Sequence, residues 1–244
     1  MDQIASVLLS YQPYANALVT ITRSTVKYYA KSVEYLFSKG FKYIIASLNY
    51  PDDWNDDDIL ILKREYQKIS DMYEKKAIRG DKFYFSPFEV KLATHIKGKD
   101  TQCIRCALAQ RQISIAPDGT FYPCVQFVGN GHNHREFSIG NLESGIDEFR
   151  RGLLFEESKQ VFTACAQCAL QHRCNYNCSC LNWQTTGKIS AISPVLCETE
   201  RLLIPIVDRL GERLYNNKVP AFLAKHYNES YPFLSLMEDA SCLV

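Results

Sequence analysis

Cysteine spacing constrains this chain more than any other feature of its sequence. Four cysteines between residues 165 and 178 follow the pattern C-x2-C-x5-C-x3-C, and Cys197 comes after a spacer. Two thiolates separated by two residues can bind one metal centre, which is a common arrangement for zinc and for iron–sulfur clusters. This density of soft ligands exceeds the need of one tetrahedral ion. We therefore expect at least two metal centres.

A second group of cysteines lies upstream, at Cys103, Cys106 and Cys124. This group lacks a fourth thiolate, whereas the later block has one to spare, so the simplest division lends Cys178 to the upstream group. Cys180 is then either a spare thiol, which we favour, or an alternative to Cys178. The two four-thiolate sites predicted in this way are Cys103, Cys106, Cys124 and Cys178 for the first, and Cys165, Cys168, Cys174 and Cys197 for the second.

The N-terminal sequence, the cysteine distribution and the net charge limit the cellular location and the classes of partner that we expect for this chain. The N-terminus lacks the basic and apolar regions of a signal peptide, so a reducing cytoplasmic location is the default. None of the ten cysteines precedes Cys103, which disfavours a disulfide framework for the whole fold. A formal net charge of +1 leaves no electrostatic footprint for nucleic acid, and no apolar run reaches the length of a membrane span.

Residues 1–100 alternate between helix and strand patterns. Apolar runs at 17–22 and 43–49 predict strands, while helical periodicity predicts helices from about residue 24 to 39 and from 59 to 78, with an acidic run before the second helix. The βαβα order predicts a parallel sheet covered by helices. Two such units are too few for a complete barrel, so this part resembles the second half of a larger α/β fold.

The pattern changes after residue 112. Asp118-Gly119 between apolar residues is a strong hairpin signal, and the returning strand would bring Cys124 beside the first two cysteines. Further along, 137–141 predicts a short strand and 145–162 predicts helices. A helix is expected from Leu202 to Tyr215, with Pro205 tolerated in its first turn.

At this point the spacing resembles a known family. The pattern C-x12-G-x4-C (Cys106, Gly119, Cys124), followed by C-x2-C-x5-C-x3-C and Cys197, is similar to the SPASM domain of radical S-adenosylmethionine (SAM) enzymes that modify peptides. The resemblance implies two auxiliary [4Fe–4S] clusters and supports the lent cysteine. The preceding βαβα stretch is similar to the last part of that family's partial (β/α)6 barrel. The implied division is a barrel half at 1–98, an α+β SPASM domain at 99–200 and a helical tail at 201–244.

Two departures from the family pattern bear on function. The C-x3-C-x2-C motif that binds the SAM-cleaving cluster is absent from the 244 residues. We therefore expect that a longer protein or a separate chain supplies the first barrel half, and that this chain alone does not cleave SAM. Sulfatase-maturating enzymes also place an acidic residue just after the hairpin cysteine, where this chain has Val125, so formylglycine formation is not expected.

The sequence thus predicts the C-terminal portion of a radical SAM peptide maturase. A peptide or protein is the expected substrate, and Asn49, at the end of a predicted strand, is a candidate SAM contact. SAM and a third [4Fe–4S] cluster belong only to a complete enzyme. The alternatives are a metal-stabilised module that binds a peptide or subunit without catalysis, and a structural zinc protein.

Overall fold

The structure, a computed structural model, describes residues 2–98, 107–128, 135–159, 163–175 and 178–228. The described residues form two compact units. Unit 1 contains residues up to 98 together with those from Glu198 to 228, and unit 2 contains residues 107 to Cys197. Within these ranges, no helix combines the length and the apolarity that a membrane crossing requires.

Secondary structure follows a different plan in the two units. The first stretch contains α1 (Asp2–Tyr11), β1 (Asn16–Ile21), α2 (Tyr29–Ser38), β2 (Tyr43–Leu48), α3 (Asp56–Arg79), β3 (Tyr84–Phe85) and α4 (Ser86–Ile96). The second contains β4 (Ser114–Ile115), β5 (Phe121–Tyr122), β6 (Gly140–Asn141), β7 (Gly145–Ile146), α5 (Glu148–Ser158), α6 (Thr163–Ala166) and α7 (Ser179–Thr186). The chain continues into α8 (Pro194–Asn216) and α9 (Pro220–Tyr227).

Unit 1 is built on a parallel sheet with the order β1-β2-β3, as the alternating pattern predicted. One face of the sheet is buried against helices through Ile21, Ile44 and Leu48. The opposite face leaves Leu18 77% exposed and Ile45 40% exposed. Parallel sheets are usually covered on both faces. Within the described residues, this sheet is therefore only half covered.

Helix α3 begins earlier than the sequence pattern suggested. The Asn55 side chain accepts a hydrogen bond from the Asp58 backbone N–H (2.9 Å), and the Asp58 carboxylate accepts one from Asn55 N–H (3.1 Å). This capping box places three aspartates inside the first turn, where the helix dipole favours negative charge. Asp56, Asp57 and Asp58 thus belong to the helix, while Asp52 and Asp53 precede it as expected.

Helix α8 corrects the prediction for Pro205. The helix starts at Pro194, so Pro205 lies in its interior and not in its first turn. An interior proline removes one backbone hydrogen bond and usually costs about 3 kcal/mol. Packing offsets this cost, because the apolar face of α8 is buried in the core of unit 1 through Leu203, Ile206, Val207, Leu210 and Leu214.

Buried polar groups also join the helices of unit 1. Glu89 on α4 accepts a hydrogen bond from the Tyr73 hydroxyl (2.8 Å) and forms an ion pair with Lys225 of α9. Lys91 and Glu200 form a second buried pair at 2.7 Å. Removing one partner of such a pair leaves an uncompensated buried charge, so loss of either partner alone is strongly destabilising.

Two short antiparallel hairpins form the β structure of unit 2, one from β4 and β5 and one from β6 and β7. Gly140 has φ +130°, and a Cβ atom at this position would stand 2.0 Å from the carbonyl oxygen of Gly145. Real Cβ atoms do not approach backbone oxygen this closely. Only glycine fits at this position of the second hairpin.

We predict that Gly140→Ala destabilises unit 2 by at least about 2 kcal/mol, because it adds a backbone clash to a strained φ. Gly152 in α5 is the matched control, since a Cβ there meets no atom within 4 Å. Gly152→Ala should leave stability unchanged or raise it by up to about 1 kcal/mol. Denaturant unfolding followed by Trp183 fluorescence measures both variants. Equal unfolding midpoints for the two variants would contradict the conclusion that only glycine fits at position 140.

Candidate metal centre

The first hairpin of unit 2 positions Cys124. Asp118 accepts a hydrogen bond from the Thr120 backbone N–H (3.0 Å), and Gly119 has the positive φ of +81° that this turn requires. The strand pairing Ser114–Tyr122 and Ile115–Phe121 confirms the hairpin predicted from Asp-Gly. Cys124 is the second residue after β5 and is 7% exposed, so the hairpin places its thiol in the interior.

Helix α7 positions two further thiols. Cys178 is the residue before the helix, and its carbonyl oxygen accepts a hydrogen bond from Asn182 N–H (2.9 Å). Cys180 lies in the first turn and is 6% exposed. The start of this helix therefore fixes the backbone of both cysteines.

These three thiols meet. The sulfurs of Cys178 and Cys180 are 3.4 Å apart, too far for a disulfide bond, and the Cys180 thiol is also within hydrogen-bonding reach of Cys124. The structure thus brings together Cys124 and Cys178, which the sequence assigned to one site. It also adds Cys180, which the sequence analysis set aside as a spare thiol.

The contacts between the thiols shift the pKa values of all three cysteines. A hydrogen bond from Cys180 lowers the pKa of Cys124 to about 6, although burial opposes the change. The same donor lowers the pKa of Cys178 to about 7. The pKa of Cys180 is raised, because its hydrogen bonds to Cys124 and Cys178 stabilise the protonated thiol and burial adds to the effect. Lowered values favour thiolates, the form that binds metals.

Apolar side chains pack against the three thiols. Cys124 and Cys180 belong to the core of unit 2, and Cys178 packs against it. The Trp183 ring lies 5.6 Å from that of Phe127 and 5.2 Å from that of Phe137. Exclusion of water and a low dielectric constant strengthen electrostatic interactions at such a site and help to set the potential of a bound cluster.

The described thiols form an incomplete ligand set. Within the part of the chain that the structure describes, no group of three or more Cys, His, Asp or Glu side chains has the geometry of a metal site. The 3.4 Å between Cys178 and Cys180 is shorter than the roughly 3.8 Å between two thiolates on tetrahedral zinc with bonds of about 2.3 Å. Cys103 and Cys106, the other predicted ligands, lie outside the described residues.

The second predicted set lies around α6 and the start of α8. Cys168 N–H donates to the Cys165 carbonyl (3.0 Å), so one turn holds the C-x2-C pair, and Cys174 follows in the next loop. Cys197 sits in the first turn of α8, where its N–H donates to Ser193 O (3.1 Å). All four thiols are partly exposed. Their joint ligation of a cluster remains a prediction.

Asn49 lies in a different place, at the carboxyl end of β2. Its N–H donates to Ile21 O (2.7 Å), which aligns the ends of β1 and β2. Beside it, Arg23 forms ion pairs with Asp58 (2.7 Å) and Asp53 (3.6 Å). Arg23, Asp53 and Asp58 line an open cleft of about 640 Å³, and Asn49 is not among the residues that line it. A SAM contact by Asn49 likewise remains a prediction.

Comparison with known proteins identifies the domain that contains the thiols. Residues 103–179 match the model of SPASM, an iron–sulfur cluster-binding domain. The chain contains a SPASM domain. The matched range includes the hairpin cysteine and the C-x2-C-x5-C-x3-C block, while Cys197 lies beyond its end.

Relatives support the wider resemblance. Two curated cysteine-type anaerobic sulfatase-maturating enzymes, from two strains of Clostridium perfringens, are 21% identical over 195 residues, which is 73% of this chain and 50% of each relative. The chain thus spans half the length of the curated relatives it matches. The resemblance to the C-terminal part of radical SAM/SPASM maturases is confirmed.

Solved structures share the fold at low sequence identity. Native anSMEcpe with bound AdoMet has a TM-score of 0.67 and 17% identity, with 88% of this chain and 60% of that chain covered. Native anSMEcpe with bound AdoMet and Cp18Cys peptide has a TM-score of 0.68 and 16% identity, with 89% and 62% covered. This chain therefore shares the mixed α/β and helical fold of these structures.

Proposed function

We propose that this chain is the C-terminal portion of a radical SAM/SPASM peptide maturase and binds two auxiliary [4Fe–4S] clusters. Cys103, Cys106, Cys124 and Cys178 would hold the first cluster, and Cys165, Cys168, Cys174 and Cys197 the second. The observation that carries the proposal is the meeting of Cys124, from the hairpin, with the thiols at the start of α7. Soft thiolates among apolar side chains suit an iron–sulfur cluster.

A peptide substrate fits this assignment. The relatives are maturases of sulfatases, and solved anSMEcpe structures contain bound peptides. The resemblance implies that, in a complete enzyme, SAM and its own cluster would supply a radical for hydrogen abstraction from the substrate, and that the auxiliary clusters held by this chain would accept an electron or position the peptide. We propose that unit 2 of this chain holds the auxiliary clusters that accept the electron or position the peptide.

In our proposal, the substrate side chain that is modified differs from the one that the sulfatase-maturating relatives modify. Val125 follows the hairpin cysteine and is 61% exposed. Sulfatase-maturating enzymes have an acidic residue at the corresponding position. Valine has no group that exchanges protons, so it cannot serve as a general base. We therefore propose oxidation of a peptide side chain by chemistry that does not use a carboxylate here.

The remaining part of the barrel is the proposed partner of unit 1. Leu18 and Ile45 are exposed on the uncovered sheet face, and α1 exposes Ile4 and Val7. In an α/β barrel the inner face of the sheet is filled by side chains from all strands. We propose that unit 1 is the last part of a partial (β/α)6 barrel and that further chain, on the same or a separate polypeptide, completes it. Asn49 would then face SAM.

A non-catalytic role is the second candidate. The sequence lacks the C-x3-C-x2-C motif, so a module that uses its clusters, or zinc, only to hold a peptide-binding or subunit-binding surface remains consistent with the residues present.

We predict that the chain alone does not cleave SAM. Incubation of the cluster-loaded protein with SAM and dithionite, without oxygen, should produce no more 5′-deoxyadenosine than a protein-free control, because no cysteine motif is present to bind the SAM-cleaving cluster. Chromatography measures the product. Several equivalents of 5′-deoxyadenosine per chain would contradict the assignment of this chain to the non-cleaving portion.

Cys174→Ala tests the second cluster. We expect the variant to lose about half of its iron and sulfide, because one of two four-thiolate sites then lacks a ligand, and to yield less soluble protein. Cys242→Ala is the matched control, since Cys242 stands outside both predicted sites. Iron and sulfide assays on anaerobically purified protein measure the effect. Equal cluster content in wild type and Cys174→Ala would refute the ligand assignment.

A further inference from the structure

Cys180 is the cysteine of the dense block that the SPASM spacing leaves over. Its side chain is buried and lies against both Cys124 and Cys178, which are predicted ligands of one cluster. Free cysteines are often buried as small apolar residues, so burial alone assigns no role. Cys180, however, contacts two thiols that are predicted ligands of one metal centre. The contacts therefore point to a role at the metal centre.

We propose that Cys178 and Cys180 share one coordination position on the cluster that Cys124 helps to hold, so that either thiolate can complete its ligand set. This inference rests on the proposed iron–sulfur function of unit 2. In this proposal the first cluster site has five available thiolates for four positions. Cys178 and Cys180, which form a C-x-C pair, serve the same iron.

Distance carries the first step of the argument. The sulfurs of Cys178 and Cys180 are 3.4 Å apart. A metal–thiolate bond is about 2.3 Å long, so two sulfurs closer than about 4.6 Å can both reach a single metal position. A metal bound by Cys178 is therefore within reach of Cys180 after a small rotation of one side chain.

Backbone placement carries the second step. Both residues stand at the start of α7, and the bond from Asn182 N–H to the Cys178 carbonyl (2.9 Å) fixes their relative position. The Cys180 thiol contacts the thiols of both neighbours: it forms one hydrogen bond with Cys124 and another with Cys178. Exchange between the two ligands thus needs side-chain motion only, and the helix stays in place.

The surroundings carry the third step. Cys124 and Cys180 are 7% and 6% exposed, and the shell around them contains Phe127 and Trp183. Such a shell keeps water from becoming the fourth ligand of an iron that has lost one thiolate. A second thiolate inside the shell is then the group available to replace the first.

Iron and sulfide content of the full chain, purified without oxygen, tests the proposal in the variants Cys178→Ala, Cys180→Ala and the double variant. We expect about eight irons per chain, the content of two [4Fe–4S] clusters, in wild type and in both single variants, and about four in the double variant. A drop to about four irons in either single variant would overturn the shared position, as would about eight irons in the double variant.

A second measurement separates ligation from folding. With alanine at position 178, Cys180→Ser should alter the electron paramagnetic resonance spectrum of the reduced clusters, because a serine oxygen replaces a thiolate sulfur. The same change with Cys178 intact should leave the spectrum close to that of wild type. Identical spectra in both backgrounds would contradict a ligand role. Wild-type protein that contains zinc and no sulfide would refute the proposed function itself, before any variant is compared.

Discussion

The meeting of thiols from two distant parts of the chain is the contact on which unit 2 depends. The β4–β5 hairpin delivers Cys124, the start of α7 delivers Cys178 and Cys180, and aromatic side chains close the space around them. Free cysteines are often buried singly in apolar cores, but three thiols in contact are the arrangement that a metal centre requires. A metal centre here would link hairpin and helix and replace part of a hydrophobic core.

Unit 1 depends on a different constraint, which is the need of a parallel sheet to be covered. Helices bury one face through Ile21, Ile44 and Leu48, while Leu18 and Ile45 remain exposed on the other face. An exposed apolar face of this kind usually marks an interaction site. The matched part is half the length of the curated relatives, and in our proposal further chain covers this face.

The sequence predicted the features with strong local signals and missed those set by packing. The periodicity of β1 and β2 and the Asp118-Gly119 turn identified the parallel pair and the hairpin, because these signals are local. Strand β3 has two residues and no readable alternation. Pro205 was misplaced because the start signal Ser193-Pro194 was overlooked: the Ser193 side chain accepts a hydrogen bond from Leu196 N–H (3.3 Å), and proline suits the first position of a helix. The contact of Cys180 with Cys124 was not predictable, since it depends on how a hairpin meets a helix far along the chain.

The central claim is that unit 2 is an iron–sulfur domain, and the metal and sulfide content of the wild-type chain tests it most directly. The protein should be purified without oxygen and analysed for iron, acid-labile sulfide and zinc, together with its visible absorption spectrum. We predict about eight irons and about eight sulfides per chain, as two [4Fe–4S] clusters require, with broad absorption near 400 nm. Stoichiometric zinc without sulfide would contradict the account and make unit 2 a structural zinc module.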